Sequence, residues 1–286
     1  MKIVYTVQEL RQQLSSYRKT EKTIGFVPTM GSLHEGHLSL FETAGKENEL
    51  VVASIFVNPA QFGPGEDLEK YPRDLDNDKM KCRNCGVDIL FLPDNHEIYP
   101  EGFVTTISLK GEITRIMCGE HRPGHFRGVA TVVTKLFNMV QPDRAYFGEK
   151  DAQQLAIIRR MTADLNMPVD IISCPTIREE NGLAKSSRNA FLSQEQRTRA
   201  GILYHGLKTA EKMIRDGEKS PEKIKDMFRR MMEHSSDITV EYIEIVEADS
   251  FRRLQSINGK VLIGIAVKLG TVRLIDNIRV SASEVY

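Results

Sequence analysis

Four short runs of β-branched and aromatic residues, at 23–28, 50–57, 87–92 and 169–173, recur along the first part of the chain with helix-like segments between several of them. Runs of this length suit buried strands, and strands separated by helices pair in parallel, because a parallel neighbour is reached only through a crossover. The alternation predicts an α/β fold, a Rossmann-like doubly wound parallel sheet. Residues 128–140 and 152–165 carry apolar side chains at three- and four-residue spacing, which predicts crossover helices. Asn166-Met167-Pro168 breaks the second of them before the next strand. After Arg188 the pattern changes to two amphipathic stretches, 194–215 and 221–233, then three strand-like runs with a turn at Leu269-Gly270 between the last two. The expected organisation is therefore a Rossmann-like domain over 1–177. A smaller C-terminal α+β domain of helices and short antiparallel sheet, 178–286, is expected to close over its site.

A chain of 286 residues can bury a sizeable core. The apolar runs at 51–57 and 261–267 fall far short of the ~20 residues that span a bilayer, so no membrane partner is expected. Residues 1–6 lack the apolar stretch of a signal peptide, which predicts a cytoplasmic location. Lysine plus arginine and aspartate plus glutamate number 39 each, leaving no net field to attract nucleic acid, and any anion must be held locally. The four cysteines are too few and scattered for a disulfide framework, which implies a reducing compartment. Cys82 and Cys85 have zinc-like spacing, but Cys118 and Cys174 add no second close pair, and zinc takes about four ligands. The pair reads as incidental.

The most informative segment is Pro28-Thr29-Met30-Gly31-Ser32-Leu33-His34-Glu35-Gly36-His37, where the first of these strands ends and a helix should begin. Ligands of doubly wound sheets sit beyond the carboxyl ends of the strands, and free backbone N–H groups at a helix start attract phosphate. Gly31 and Gly36 allow close backbone approach. His34 and His37, three apart on a helix, would project from one face and donate to one polyphosphate. For an isolated pair the plainer reading is one capping and one core histidine. A zinc-protease site is excluded, because its histidines stand four apart.

His34-Glu35-Gly36-His37 resembles the H-x-G-H signature of the nucleotidyltransferase superfamily. The longer Pro-Thr-Met-Gly-Ser-Leu-His string resembles the pantothenate synthetase (pantoate–β-alanine ligase) family, and further matches follow in order along nearly the whole chain. Asn58-Pro59-Ala60-Gln61-Phe62-Gly63 resembles the family segment whose glutamine contacts pantoate, which implies that role for Gln61; alone it would read as a polar loop. Arg122 to Val129 resembles another stretch of the same pocket, with His125 read either as a pocket residue or as a helix cap. Phe147-Gly148-Glu149-Lys150-Asp151-Ala152-Gln153-Gln154 sits at a strand-to-helix turn. The resemblance assigns Lys150 to the ATP phosphates and Gln154 to pantoate. Ala184-Lys185-Ser186-Ser187-Arg188-Asn189 resembles the second phosphate motif, in which Arg188 grips phosphate with paired donors. Many family members carry methionine where Lys185 stands, so Lys185 reads as an added phosphate contact or a solvent-facing side chain. Ile177 matches a position used for backbone contact with adenine.

The resemblance implies ATP as co-substrate, with Met30–His37, Gly148, Glu149, Lys150, Asp151, Ile177 and Lys185 to Arg188 as its binding residues, and His37 and Lys150 as catalytic. It also implies pantoate and β-alanine as substrates, a pantoyl-adenylate intermediate and a homodimer. Magnesium is expected with the polyphosphate. Asp76-Asn77-Asp78 resembles the region where some members place metal-binding acids, with Asn77 at one acidic position, and the ligands stay unassigned. Two rivals remain at this stage: a nucleotidyltransferase that leaves AMP on a phosphate acceptor, and a nucleotide-binding module without turnover.

Overall fold

The computed structural model describes residues 1–20, 22–233, 235 and 237–282. In chain order the main elements are β1 (Lys2–Val4), α1 (Val7–Arg18), β2 (Ile24–Thr29), α2 (Glu35–Glu47), β3 (Leu50–Ile55), α3 (Leu75–Asn84), β4 (Ile89–Phe91) and α4 (Asn95–Ile98). There follow α5 (Cys118–His121), α6 (His125–Val140), β5 (Arg144–Gly148), α7 (Ala152–Asp164) and β6 (Asp170–Cys174). The last are α8 (Gln194–Ala200), α9 (Ile202–Arg215), α10 (Pro221–Met232), β7 (Ile238–Glu247), β8 (Lys260–Leu269) and β9 (Val272–Ser281). The chain forms two compact units. One comprises Met1–Leu109, Pro123–Glu149 and Gln154–Thr176; the other comprises Lys110–Arg122, Lys150–Gln153 and the residues from Ile177 onward.

The first unit is built on a six-stranded sheet in the order β1-β4-β3-β2-β5-β6, all pairs parallel. Leu50 to Ala53 of β3 are buried without alternation, because both faces of the sheet are covered. Phe26, Leu50 and Val52 pack with Leu10 and Leu14 of α1, Val133 and Phe137 of α6, and Ile158 of α7. Val27, Val51 and Ala53 pack on the other side with Leu40, Phe41 and Ala44 of α2 and Cys82 of α3. The result is the expected three-layer doubly wound architecture.

From β2 the chain moves outward through β3 and β4, whereas β5 and β6 extend from the opposite side of β2. The switch point therefore lies between β2 and β5, where this sheet class opens a crevice beyond the strand ends. Pro28 shapes that opening. The Ile24 carbonyl accepts from Asp143 N on the β5 side and that of Thr29 from Phe56 N on the β3 side, so the edge of Pro28 points toward β5. The β2–β5 ladder ends at Phe26↔Ala145, so the missing N–H of Pro28 removes no ladder bond and closes off further pairing.

In the second unit β7, β8 and β9 form an antiparallel sheet, with the tight turn after Leu269 using Gly270 at φ 59°. Val261, Ile263, Ile265 and Val267 of β8 face Leu207 and Ala210 of α9 and Ile224 and Phe228 of α10. Gly206 makes the two helices' close approach possible, since a Cβ there would lie 2.4 Å from the Phe228 ring. The expected helix over 194–215 is two helices. Asn181 Nδ2 donates to the Arg197 carbonyl at 2.8 Å, and a Cβ on Gly201 would lie 2.7 Å from the Asn181 carbonyl oxygen. The helical ladder is broken at that point by a side chain from elsewhere in the unit.

Candidate active site

In the first unit the segment after β2 turns sharply. Gly31 has φ 79° and Ser32 φ 50°, a left-handed pair that is costly for serine unless held. Asp78 of α3 holds it, with Oδ2 accepting from Ser32 N at 2.8 Å and Oδ1 from Leu33 N at 2.7 Å. Lys81 Nζ, one turn further along α3, donates to the Leu33 carbonyl at 2.6 Å. A Cβ on Gly31 would stand 2.9 Å from Asp78 Oδ2, so glycine is required there.

His34 is the N-cap of α2, with φ −135° and ψ 176°. Its Nδ1 accepts from Gly36 N at 3.1 Å, and its own N–H donates to His37 Nδ1 at 3.3 Å. Because both donors are backbone N–H groups, each Nδ1 must be unprotonated, and each neutral imidazole carries its proton on Nε2. The rings lie 4.1 Å apart between centroids at 41°. Two expectations change here. The histidines do not both stand on a helical face, since His34 precedes the helix and caps it, and backbone N–H groups of the turn are already engaged, those of Gly31, Gly36 and His37 by Thr29 and His34 and those of Ser32 and Leu33 by Asp78. What the turn holds is a pair of adjacent imidazoles, each with its proton on Nε2, rather than an open backbone nest.

Gln61 follows β3 on a short 3-10 turn capped by Asn58 and is buried, 8% exposed. Its Nε2 lies 3.2 Å from Met30 Sδ, which joins the second strand end to the first. His125 opens α6 and its Nδ1 donates to the Gln61 carbonyl at 2.9 Å, so it supports the pantoate candidate from behind. Gly148 ends β5, next to β2 in the sheet, and Gln154 lies half-buried in the first turn of α7. Its neighbour Gln153 is buried and accepts from Cys118 N at 3.0 Å while donating to the Ile113 and Ile116 carbonyls, a purely internal role within the second unit.

Glu149 closes the Pro123–Glu149 part of the first unit, whereas Lys150, Asp151, Ile177 and Lys185 to Arg188 belong to the second. Lys150 and Asp151 approach at 3.6 Å, and the Lys150 carbonyl accepts from Asn277 Nδ2 of β9 at 2.8 Å. Ile177 and Lys185 face each other across a hairpin: Lys185 N donates to the Ile177 carbonyl at 2.9 Å, with Arg178 paired to Ala184 and Gly182 at φ 88° in the turn. The adenine candidate and the second phosphate motif are thus backbone neighbours. Ser186 Oγ accepts from Arg188 N at 3.3 Å, capping the following 3-10 turn, and its own proton remains available to donate. Arg178 anchors the hairpin by paired bonds to Asp276 at 2.6 and 3.0 Å. Glu179 receives Arg197 at 2.6 and 2.8 Å and Asn189 Nδ2 at 2.9 Å. Chiefly through Arg197, the Glu179 carboxyl is held below its ordinary range although burial opposes this.

Both carboxylate oxygens of Asp78 are taken by backbone N–H groups, and Asp76 is an exposed side chain near Lys79 at 3.4 Å. Among the described residues no group of three or more His, Cys, Asp or Glu side chains gathers into a metal site. Asp78 and Asn277 support the site and escape sequence reasoning, because each acts on chain far away in sequence, and the links of Asn58 to Tyr99 and Gly128 escape it for the same reason.

A family profile described as Pantoate-beta-alanine ligase matches residues 2–279. The chain belongs to that family. The pantothenate synthetase of Caldicellulosiruptor bescii is 52% identical over 282 residues, 99% of this chain and 100% of that protein. That of Acetivibrio thermocellus is 49% identical over 278 residues, covering 97% and 99%. Among solved structures, the pantothenate synthetase of Thermus thermophilus superposes with a TM-score of 0.92 at 46% identity, covering 97% of this chain and 99% of that one. The pantoate-beta-alanine ligase from Francisella tularensis, complexed with beta-gamma ATP and beta-alanine, gives 0.81 at 36% identity and 97% of each chain. The pantoate-beta-alanine ligase fold is therefore shared over both units, six parallel strands and the separate three-stranded antiparallel sheet alike. No described helix is long and apolar enough to cross a membrane.

Proposed function

We infer that this chain is an ATP-dependent ligase that joins pantoate to β-alanine through a pantoyl-adenylate, releasing pyrophosphate and AMP. In the first step a pantoate carboxylate oxygen attacks the α-phosphorus, the bond to the bridging oxygen breaks and pyrophosphate leaves. In the second the β-alanine amine attacks the acyl carbon, the acyl C–O bond breaks, AMP leaves and the nitrogen loses a proton.

Charge develops on phosphate oxygens in the first step, and preorganised donors stabilise it best where they need no rearrangement. The observation that carries the reading is the pair of imidazole Nε2–H donors at the switch point, locked by the backbone contacts of their Nδ1 atoms. We assign His34 and His37 to the polyphosphate on that ground. Lys150, Ser186, Ser187 and Arg188 are assigned as further phosphate donors, Ile177 as a backbone contact to adenine, and His37 and Lys150 as the catalytic donors; their residue types and family positions support this. Lys185 is assigned as an additional phosphate contact. Gln61 and Gln154 are assigned to pantoate. Neutral amides orient it without an ion pair that would damp its attacking oxygen.

Magnesium fits as the companion of ATP, because Mg2+ keeps several waters and is commonly held by substrate phosphates with few protein ligands. Bound there, it would neutralise polyphosphate charge. The four free thiols support a reducing, cytoplasmic setting, and family resemblance supports a homodimer. Pyrophosphate–ATP isotope exchange measured without β-alanine tests the central claim. Exchange that depends on pantoate is expected; amide formation in the absence of such exchange would overturn the adenylate.

A further inference from the structure

Asn58 stands just beyond β3 with only 1% of its surface exposed, and its carboxamide has only one possible orientation. The Ala60 N–H donates to one of its side-chain atoms at 3.2 Å, and the Gly128 carbonyl lies 3.2 Å from the other. A backbone N–H demands an acceptor and a backbone carbonyl a donor, so Oδ1 faces Ala60 and Nδ2 faces Gly128. Tyr99, 41 residues away, donates its hydroxyl to Oδ1 at 2.8 Å, and Nδ2 donates its second proton to Gln61 Oε1 at 3.0 Å. Both acceptor sites and both protons of Asn58 are engaged. Turning the amide over would set N–H against N–H at Ala60 and carbonyl against carbonyl at Gly128.

The orientation passes to Gln61. Its Oε1 is held by Asn58, so its Nε2 is directed the other way, toward Met30 Sδ, a weak acceptor. The surroundings are stiff: His125 fixes the Gln61 carbonyl, and a Cβ on Gly128 would lie 2.2 Å from the Ala60 oxygen. Tyr99 is clamped between Phe56 and Phe103, with ring centroids at 6.2 and 5.2 Å.

We propose that Tyr99 is a positioning residue for the hydroxy-acid substrate, acting through Asn58 to hold Gln61 with its N–H2 edge toward the ligand. The site then accepts a ligand oxygen with lone pairs, a carboxylate or hydroxyl oxygen, and disfavours a donor at the same place. Burial pushes the Tyr99 hydroxyl up to about 12, so it remains a protonated donor at any ordinary assay pH. The proposal rests on the assignment of Gln61 to pantoate, and the test separates the two.

Tyr99→Phe, Gln61→Ala and the double variant are assayed with pantoate and ATP varied in turn, alongside thermal melts. Loss of the hydroxyl is expected to raise the pantoate KM about fivefold to tenfold with little change in kcat or in the ATP KM. Gln61→Ala is expected to raise the pantoate KM at least about tenfold, and Tyr99→Phe to add less than about twofold in that background. An unchanged pantoate KM in Gln61→Ala would overturn the substrate assignment and the proposal with it. A normal Gln61→Ala effect with Tyr99→Phe silent alone, or multiplicative in the double variant, would overturn the proposal alone. If Tyr99→Phe loses its cooperative melt, Asn58→Asp serves instead. It keeps acceptors toward Tyr99 and Ala60 and presents an oxygen to Gln61 Oε1, so the pantoate KM should rise in a Gln61-dependent way, and an increase that survives Gln61→Ala would overturn the relay.

Discussion

Asp78 is 2% exposed and contacts no reacting group in the proposed chemistry, yet it dictates the path of the chain through residues 31 to 33. A carboxylate accepts two backbone N–H groups without offering a proton of its own, and no neutral side chain of that size can do the same. Asp78→Asn would turn one oxygen into a donor facing a donor. The expected loss is ~3 kcal/mol of stability, since a charge-assisted bond is removed and a buried N–H left unpaired. The ATP KM should rise as the His34–His37 cap loses its support. Chemical denaturation together with ATP kinetics measures both; wild-type values would show that the turn holds itself. In the sequence Asp78 was legible only as one acid in a row, because its partners lie 45 and 46 residues away. The two histidines were legible as an adjacent pair from their spacing. A capping role entered only as the plainer alternative for one of the two, and which ring caps was not legible, because H-x-x-H at a helix start is compatible with either ring lying inside or outside the first turn.

Element by element, long buried strands and the amphipathic helices could be read from periodicity, since a face buried by the fold leaves its repeat in the residues. β1 and α1 escaped: a strand of three residues is too short to alternate, and α1 buries only Leu10 and Leu14. The break between α8 and α9 also escaped, because its cause, Asn181, lies outside both helices. The hairpin from Ile177 to Lys185 leads directly into Lys185 to Arg188, the proposed second phosphate motif, and it carries a pH signature. The carboxyl of Glu179 is held below its ordinary 4.5, first by Arg197, so the folded state binds its proton less readily than the unfolded chain. Its contribution is therefore complete above about pH 4.5 and is lost as pH falls through the lowered folded value. Glu179→Gln should melt a few degrees (about 3 °C) below wild type at pH 7, and the gap should close as pH drops from about 5 toward 3. Melting curves across that range decide it; a gap that widens in acid would mean that Glu179 is not the acceptor described.

At the scale of the whole molecule, a change of pattern after Arg188 marks where β-α alternation stops, but it is a local signal. It has no means of revealing that residues 110–122 and 150–153 cluster with the residues after Ile177. Their grouping is physical. On the face of β8 opposite its helices, a Cβ on Gly264 would lie 2.2 Å from Met117 Cε, so glycine leaves a notch that the Met117 side chain fills. Beside it Cys118 Sγ lies 3.2 Å from the Tyr242 hydroxyl and 3.6 Å from Arg273 Nη2, and Glu120 pairs with Arg253 at 3.1 Å. Ile116, Met117 and Cys118 are all buried, and burying an apolar side chain of the size of isoleucine or methionine contributes about 2 kcal/mol. A fragment of residues 177–286 would expose that face and the Tyr242 ring to water. Such a fragment should bind a hydrophobic dye and melt with poor cooperativity, although it contains the entire antiparallel sheet and all three of its helices. Attaching residues 110–122 through a flexible linker should restore a sharp transition and suppress dye binding, and Met117→Ala within that fusion should undo part of the gain. A fragment that melts cooperatively without the segment would show that the α9–α10 face alone suffices as its core.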